Sequence, residues 1–168
     1  SRVFERQLRG APKPQEWAPA FPGLLRNVDD IERFAGGHGI LSLVAEPDGI
    51  VRRIPAFFRS GKRLYPSLSV EMMRIAAGRS GIIAKGGQAG IIDISISKQI
   101  KVPTDRIGRM WPYFSKTDKA KYVSAKDVLS GKVDPKKIQG KLALLGTSAT
   151  GLLDIKTVPT EPFIPGVE

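Results

Sequence analysis

Residues 141–154, Lys-Leu-Ala-Leu-Leu-Gly-Thr-Ser-Ala-Thr-Gly-Leu-Leu-Asp, run from an apolar stretch into two glycines, several hydroxyls and an acid. Thr147 and Ser148 could donate hydroxyls to a ligand, and Asp154 could accept a hydrogen bond or fix the local turn. Three familiar motifs are incomplete here, although backbone N–H groups at such a loop can still cup an anion. A phosphate-cradling G-x-x-x-x-G-K-[ST] loop needs a lysine after its second glycine, and Leu152 stands there; the dinucleotide pattern G-x-G-x-x-G fails at Ser148. A G-x-S-x-G nucleophile elbow fails at Thr150. The single histidine, His38, lies in the glycine cluster Gly36-Gly-His-Gly39, and the chain has no cysteine, so a histidine-based triad has one candidate base and no cysteine nucleophile.

Arg52 and Arg53 are the second group with chemical potential. A guanidinium can clamp a carboxylate or phosphate through two parallel N–H bonds. Adjacent residues of a strand point to opposite faces, so the two cannot line one pocket without a bulge, and one of them is expected to pair with an acid. Tyr65, in Tyr65-Pro-Ser67, leads into a helix; its phenol is a further candidate for a pocket rim.

These residues need a scaffold. Glu46-Pro-Asp-Gly49 is a strong turn, expected to join strands at Ile40–Val44 and Ile50–Arg59 in a hairpin. Ser60-Gly-Lys62 makes another turn before a short strand at Arg63–Tyr65. Leu68, Met72, Ile75 and Ala76 share one face of a helix. Residues 81–90 are rich in glycine and read as mobile. Ile92, Ile94 and Ile96 alternate with polar residues, a half-buried strand that returns through Lys98-Gln99 to Ile100–Val102. Further strand character lies at Arg109–Phe114. Residues 11–23 hold four prolines and read as extended and irregular, and Asn27 could cap a helix over Val28–Ala35. Ser124 with Asp127 has the spacing of a capping box, and Asp134-Pro135 can start a helical turn. Leu142–Leu145, apolar on both faces, is expected in a central strand. The fold class is therefore α/β: a mixed sheet with antiparallel hairpins and a central strand, and helices packed upon it.

The bulk properties narrow the function. A chain of 168 residues suits one domain, and 41% hydrophobic residues can build a core. No apolar run approaches the ~18 residues of a membrane span. Neither end carries a start methionine or a polar tail, which reads as a piece of a longer chain. Without cysteine there are no disulfides and no thiolate metal sites, and no metal or other cofactor is expected. The net charge of +11 favours anionic ligands, but the basic residues are scattered and no nucleic-acid consensus is present, so nucleic acid is not expected as a partner.

Several blocks occur in a telling order: Glu46-Pro-Asp-Gly-Ile-Val-Arg-Arg-Ile-Pro55, Leu64-Tyr-Pro-Ser-Leu-Ser-Val-Glu71, Ile100–Arg109, Tyr122–Gly131 and Ile138–Asp154, closing on Pro165-Gly-Val-Glu168. The series resembles the CHASE domain of type two, a cyclase/histidine-kinase-associated sensory extracellular domain of bacteria, from about residue 20 to residue 168. The resemblance implies a non-enzymatic, extracytoplasmic sensor, on the periplasmic side of the inner membrane and tethered through flanking membrane helices. It further implies a cytoplasmic adenylate or guanylate cyclase or a histidine kinase as output, a homodimeric receptor, and an N-terminally truncated domain. The ligand expected is small and polar or anionic, near Thr147, Ser148, Asp154, Tyr65 and one of Arg52 and Arg53. The alternative is a free-standing enzyme acting on phosphate esters, or an anion-binding module.

Overall fold

The computed structural model describes residues 2–78, 81–147 and 155–166. The chain forms two compact units. The first comprises residues 1–44 and 53–112, and the second residues 45–52 and 113–168.

The first unit opens with strand β1 (Arg2–Gln7), helical turn α1 (Pro14–Trp17), strand β2 (Ala20–Phe21) and helical turn α2 (Asp29–Glu32). It resumes with β3 (Ile54–Pro55), β4 (Phe57–Ser60), β5 (Arg63–Pro66), helix α3 (Leu68–Ala76), β6 (Gly81–Gly87), β7 (Gly90–Ser95), β8 (Lys101–Pro103) and β9 (Arg109–Met110). The main sheet has the order β1-β6-β7-β8. β1 runs parallel to β6, whereas β6–β7 and β7–β8 are antiparallel. A smaller sheet has the order β2-β4-β5, and β3 pairs antiparallel with β9. The sheets are mixed, as expected, with antiparallel hairpins at Ser60-Gly-Lys62 and Lys98-Gln99.

The two inner positions belong to β6 and β7, and β6 falls within the stretch expected to be mobile. Its alternate residues Ile82 and Ala84 are fully buried, and Gly86 lies so close to α1 that an added Cβ would sit 3.1 Å from Pro14 Cγ. The glycines here serve close packing rather than freedom. The expected central strand at Leu142–Leu145 does not form. That segment is coil with no ladder among the described residues, and Leu142 and Leu145 are 62% and 91% exposed. An apolar run becomes a strand only where a partner edge receives its backbone groups. Residues 11–23 are also more ordered than four prolines suggest, because Pro14 occupies the first turn of α1, where a missing N–H costs nothing.

The core of the first unit gathers Phe57, Leu64, Val70, Ile82, Ile91 and Ile94 from five elements. Ile94 and Ile96 are buried as the alternation predicts, but Ile91 replaces the exposed Ile92, beside an irregularity in the β6–β7 register. α3 is rotated from its expected face: Val70, Glu71 and Arg74 are buried, and Ile75 and Ala76 are exposed.

The second unit holds a 3-10 turn at Lys119–Lys121, helix α4 (Ala125–Leu129), a 3-10 turn at Pro135–Lys137, and the antiparallel pair β10 (Ile155–Val158) and β11 (Glu161–Pro165). Ser124 precedes α4 without a side-chain cap, whereas Asp134 accepts the Lys136 N–H at 3.0 Å. The turn at Glu46–Gly49 closes through Gly49 N–H to Glu46 O, yet its flanks do not pair as a hairpin. Instead Val51 N–H donates to Thr157 O at 2.9 Å, which ties the turn to β10. No described helix is long and apolar enough to cross a membrane.

Candidate functional site

Several ionic clusters occur among the described residues. The first surrounds the turn at residues 46–49. Arg52 donates through Nη2 to Asp48 Oδ2 at 2.8 Å and through Nη1 to Glu46 Oε2 at 3.3 Å. Asp48 also accepts the Ile50 N–H through Oδ1. The Arg52 hydrogen bond, followed by that from Ile50, holds the Asp48 carboxyl below its usual range; the same bond to Asp48 raises Arg52. The guanidinium is therefore already clamped between two carboxylates in solvent.

The second cluster centres on Asp105, in the turn ahead of β9. Its Oδ1 accepts the backbone N–H groups of Ile107 and Arg109, at 3.2 and 2.8 Å. Its Oδ2 accepts Arg109 Nε at 2.7 Å and Arg53 Nη1 at 3.1 Å. Burial is the largest single influence on Asp105 and raises its pKa, but the bonds and charge of Arg109, with the Ile107 N–H, together outweigh it and hold the carboxyl low. Arg53 also lies over Trp111, 5.9 Å from the ring centroid, a favourable cation–π separation.

The third cluster was not legible in advance. Glu71 and Arg74, one turn apart on α3, form a bidentate pair: Arg74 Nη2 lies 2.8 Å from Oε1 and Nε 2.9 Å from Oε2. The side chains are 2% and 10% exposed. Arg74 Nη2 also donates to Gly36 O, and Ile40 exchanges backbone bonds with Pro66 and Leu68. The segment 36–40 thereby covers the pair. A Cβ at Gly37 would overlap Glu71 Oε1, so a side chain there has to displace the Glu71 carboxylate from its pairing. The Glu71 hydrogen bond raises Arg74 above its ordinary value despite burial.

The expected site residues are distributed among these features. Arg52 belongs to the second unit and Arg53 to the first. Both pair with acids, where one was expected to. Thr147 is exposed on coil in the second unit, and Ser148 and Asp154 lie outside the described residues. Tyr65 sits in β5 opposite Phe58, half-buried, and its side chain makes no hydrogen bond among the described residues. His38 lies 3.2 Å from Glu32 Oε1, which Arg26 Nε also approaches at 3.1 Å. Among the described residues, no group of three or more His, Cys, Asp or Glu could hold a metal ion.

A family profile, that of the CHASE2 domain, matches residues 3–168. The chain belongs to the CHASE2 domain family. The match starts well before residue 20 and takes in β1 and both compact units. No curated protein and no solved structure matches the chain. CHASE2 domains are sensory extracellular domains of signalling receptors, which supports a sensory role for this chain.

Proposed function

We propose that this CHASE2 domain is the periplasmic ligand-sensing part of a bacterial receptor, tethered through flanking membrane helices, and that it controls a cytoplasmic cyclase or histidine kinase. The observation that carries the reading is the family match across residues 3–168. The ligand is a small polar or anionic molecule, favoured by the net charge of +11. Its contacts are drawn from Thr147, Ser148, Asp154, Tyr65, Arg52 and Arg53, and the working receptor is a homodimer. Arg52 is held by Glu46 and Asp48, so an anion reaching it displaces a carboxylate and gains correspondingly little. Arg53 is also held by a carboxylate, that of Asp105, but it shares that acid with Arg109, is less exposed and stacks on an indole, so it is the stronger contact.

The test is the output activity of the intact receptor in membranes, measured with a panel of anionic metabolites. A stimulus-dependent change is expected, and Arg53→Gln should blunt it more than Arg52→Gln. Output that is unchanged when residues 3–168 are deleted would end the sensor reading. Turnover of phosphate esters by this domain, abolished by Ser148→Ala, would favour an enzyme instead.

A further inference from the structure

Arg109 spends little of its hydrogen-bonding capacity. Its backbone N–H and its Nε go to Asp105. Its two Nη amino groups make no hydrogen bond among the described residues, although the side chain is only 18% exposed. A guanidinium anchored by Nε keeps its far edge oriented, so the order needed to grip a second carboxylate is already in place.

The neighbours of that edge are specific. β3 and β9 pair Ile54 with Met110 and Pro55 with Arg109. Continuing the register sets Arg53 across from Trp111, which accounts for the stacking of the guanidinium on the indole. Arg53 also shares Asp105 Oδ2 with Arg109. Trp111 follows Arg109 by two residues, the spacing that returns a strand to the same face. It is 60% exposed, an unusually open position for so large an apolar ring.

We propose that Arg109, Arg53 and Trp111 form a binding site for a flat, singly charged organic anion, an aromatic or conjugated carboxylate. The unused edge of Arg109 takes the carboxylate as a two-bond fork. The exposed indole takes the planar body by offset stacking. Asp105, fixed by four hydrogen bonds, keeps a negative charge beside the site. Phosphate can satisfy the fork, and the net positive charge of two guanidiniums against one carboxylate does not reject it, but it brings no ring for Trp111, so selection against it rests on the indole. Small aliphatic acids satisfy the fork and leave the indole in water. The inference rests on the sensor reading and gives its ligand a chemical class.

Benzoate is the probe, followed by ligand-detected NMR and by tryptophan fluorescence of the whole chain. Saturable benzoate binding is expected, with acetate and inorganic phosphate at least about 10-fold weaker. Arg109→Gln should weaken benzoate about 10-fold or more, roughly the loss of one charged hydrogen-bonded contact. Trp111→Ala removes an exposed ring that makes none of the four hydrogen bonds to Asp105, so it tests the site with less risk to the fold; it too should weaken benzoate, and Arg52→Gln should not. The proposal is overturned if benzoate does not bind at millimolar concentration, if phosphate binds as tightly, or if Arg109→Gln and Trp111→Ala leave binding unchanged. A receptor that answers its stimulus normally with Arg109→Gln removes this site and leaves the sensor reading intact. Benzoate binding with the expected dependences establishes the site even where receptor output ignores deletion of residues 3–168.

Discussion

At the scale of single residues, the buried pair Glu71–Arg74 has the largest energetic consequence. Two charges taken from water offset their desolvation only while both are present. Arg74→Met strands a carboxylate that is 2% exposed and should cost about 3–5 kcal/mol, read as a lower urea midpoint. Adding Glu71→Leu should recover much of that loss; a double variant no more stable than the single would show that the pair is not the cause. Asp105 gives a second prediction, with a sign fixed by its lowered pKa. A carboxyl depressed in the folded state stabilises it fully above the unfolded value of about 3.9, and the contribution disappears as pH falls through the folded value. Asp105→Asn should therefore destabilise the chain at neutral pH and flatten its loss of stability below about pH 4. Equal acid sensitivity in both proteins would rule this out. Pairings two to four residues apart, such as Asp48 with the Ile50 N–H or Glu71 with Arg74, are compatible with local spacing, but spacing alone does not single them out from other charged neighbours. The Arg53–Asp105 bond spans 52 residues, and the segment covering Glu71–Arg74 lies 38 residues from Arg74. No spacing rule joins partners that only the tertiary fold brings together.

At the scale of elements, pairing decides which apolar runs become strands. β6 was hidden by its glycines, because glycine signals flexibility in sequence and close approach in a packed sheet. Leu142–Leu145 misled in the opposite direction: its composition suits a buried strand, but no edge receives it among the described residues. The hairpins β4–β5 and β7–β8 were legible because turn chemistry and alternation agree locally. Native-state hydrogen exchange should separate the two cases. Amides of β6, bonded to β1 on one side and β7 on the other, should be among the slowest in the chain, whereas residues 142–147 should exchange near the rate of an unstructured peptide. Ile82→Ala, at a fully buried site in β6, should cost about 2–5 kcal/mol. Strong protection across 142–147 would mean that this segment finds a ladder after all.

At the scale of the whole molecule, stability and charge are unevenly divided between the two units. The hydrophobic core cluster lies wholly within the first, and so does most of the excess positive charge. The buried apolar residues described in the second are Val51, Val158 and Ile164, while its Leu129, Leu145 and Phe163 are exposed. The division is hard to read in sequence, since residues 45–52 join the second unit from within the first and the chain offers no linker of shifted composition. The hydrophobic contribution scales with apolar area removed from water, so the second unit has less to hold it folded. It should open sub-globally while the first remains native. Hydrogen exchange at rising urea should then show the amides of α4, β10 and β11 reaching their opening limit at lower denaturant than those of β6 and β7. Large apolar side chains are exposed in both units, Leu25, Phe34 and Leu41 in the first as well as Leu129, Leu145 and Phe163 in the second, so exposure alone singles out neither as a partner surface. If both units converge on one unfolding free energy in the isolated chain, the molecule is a single cooperative body and the uneven core has no thermodynamic consequence.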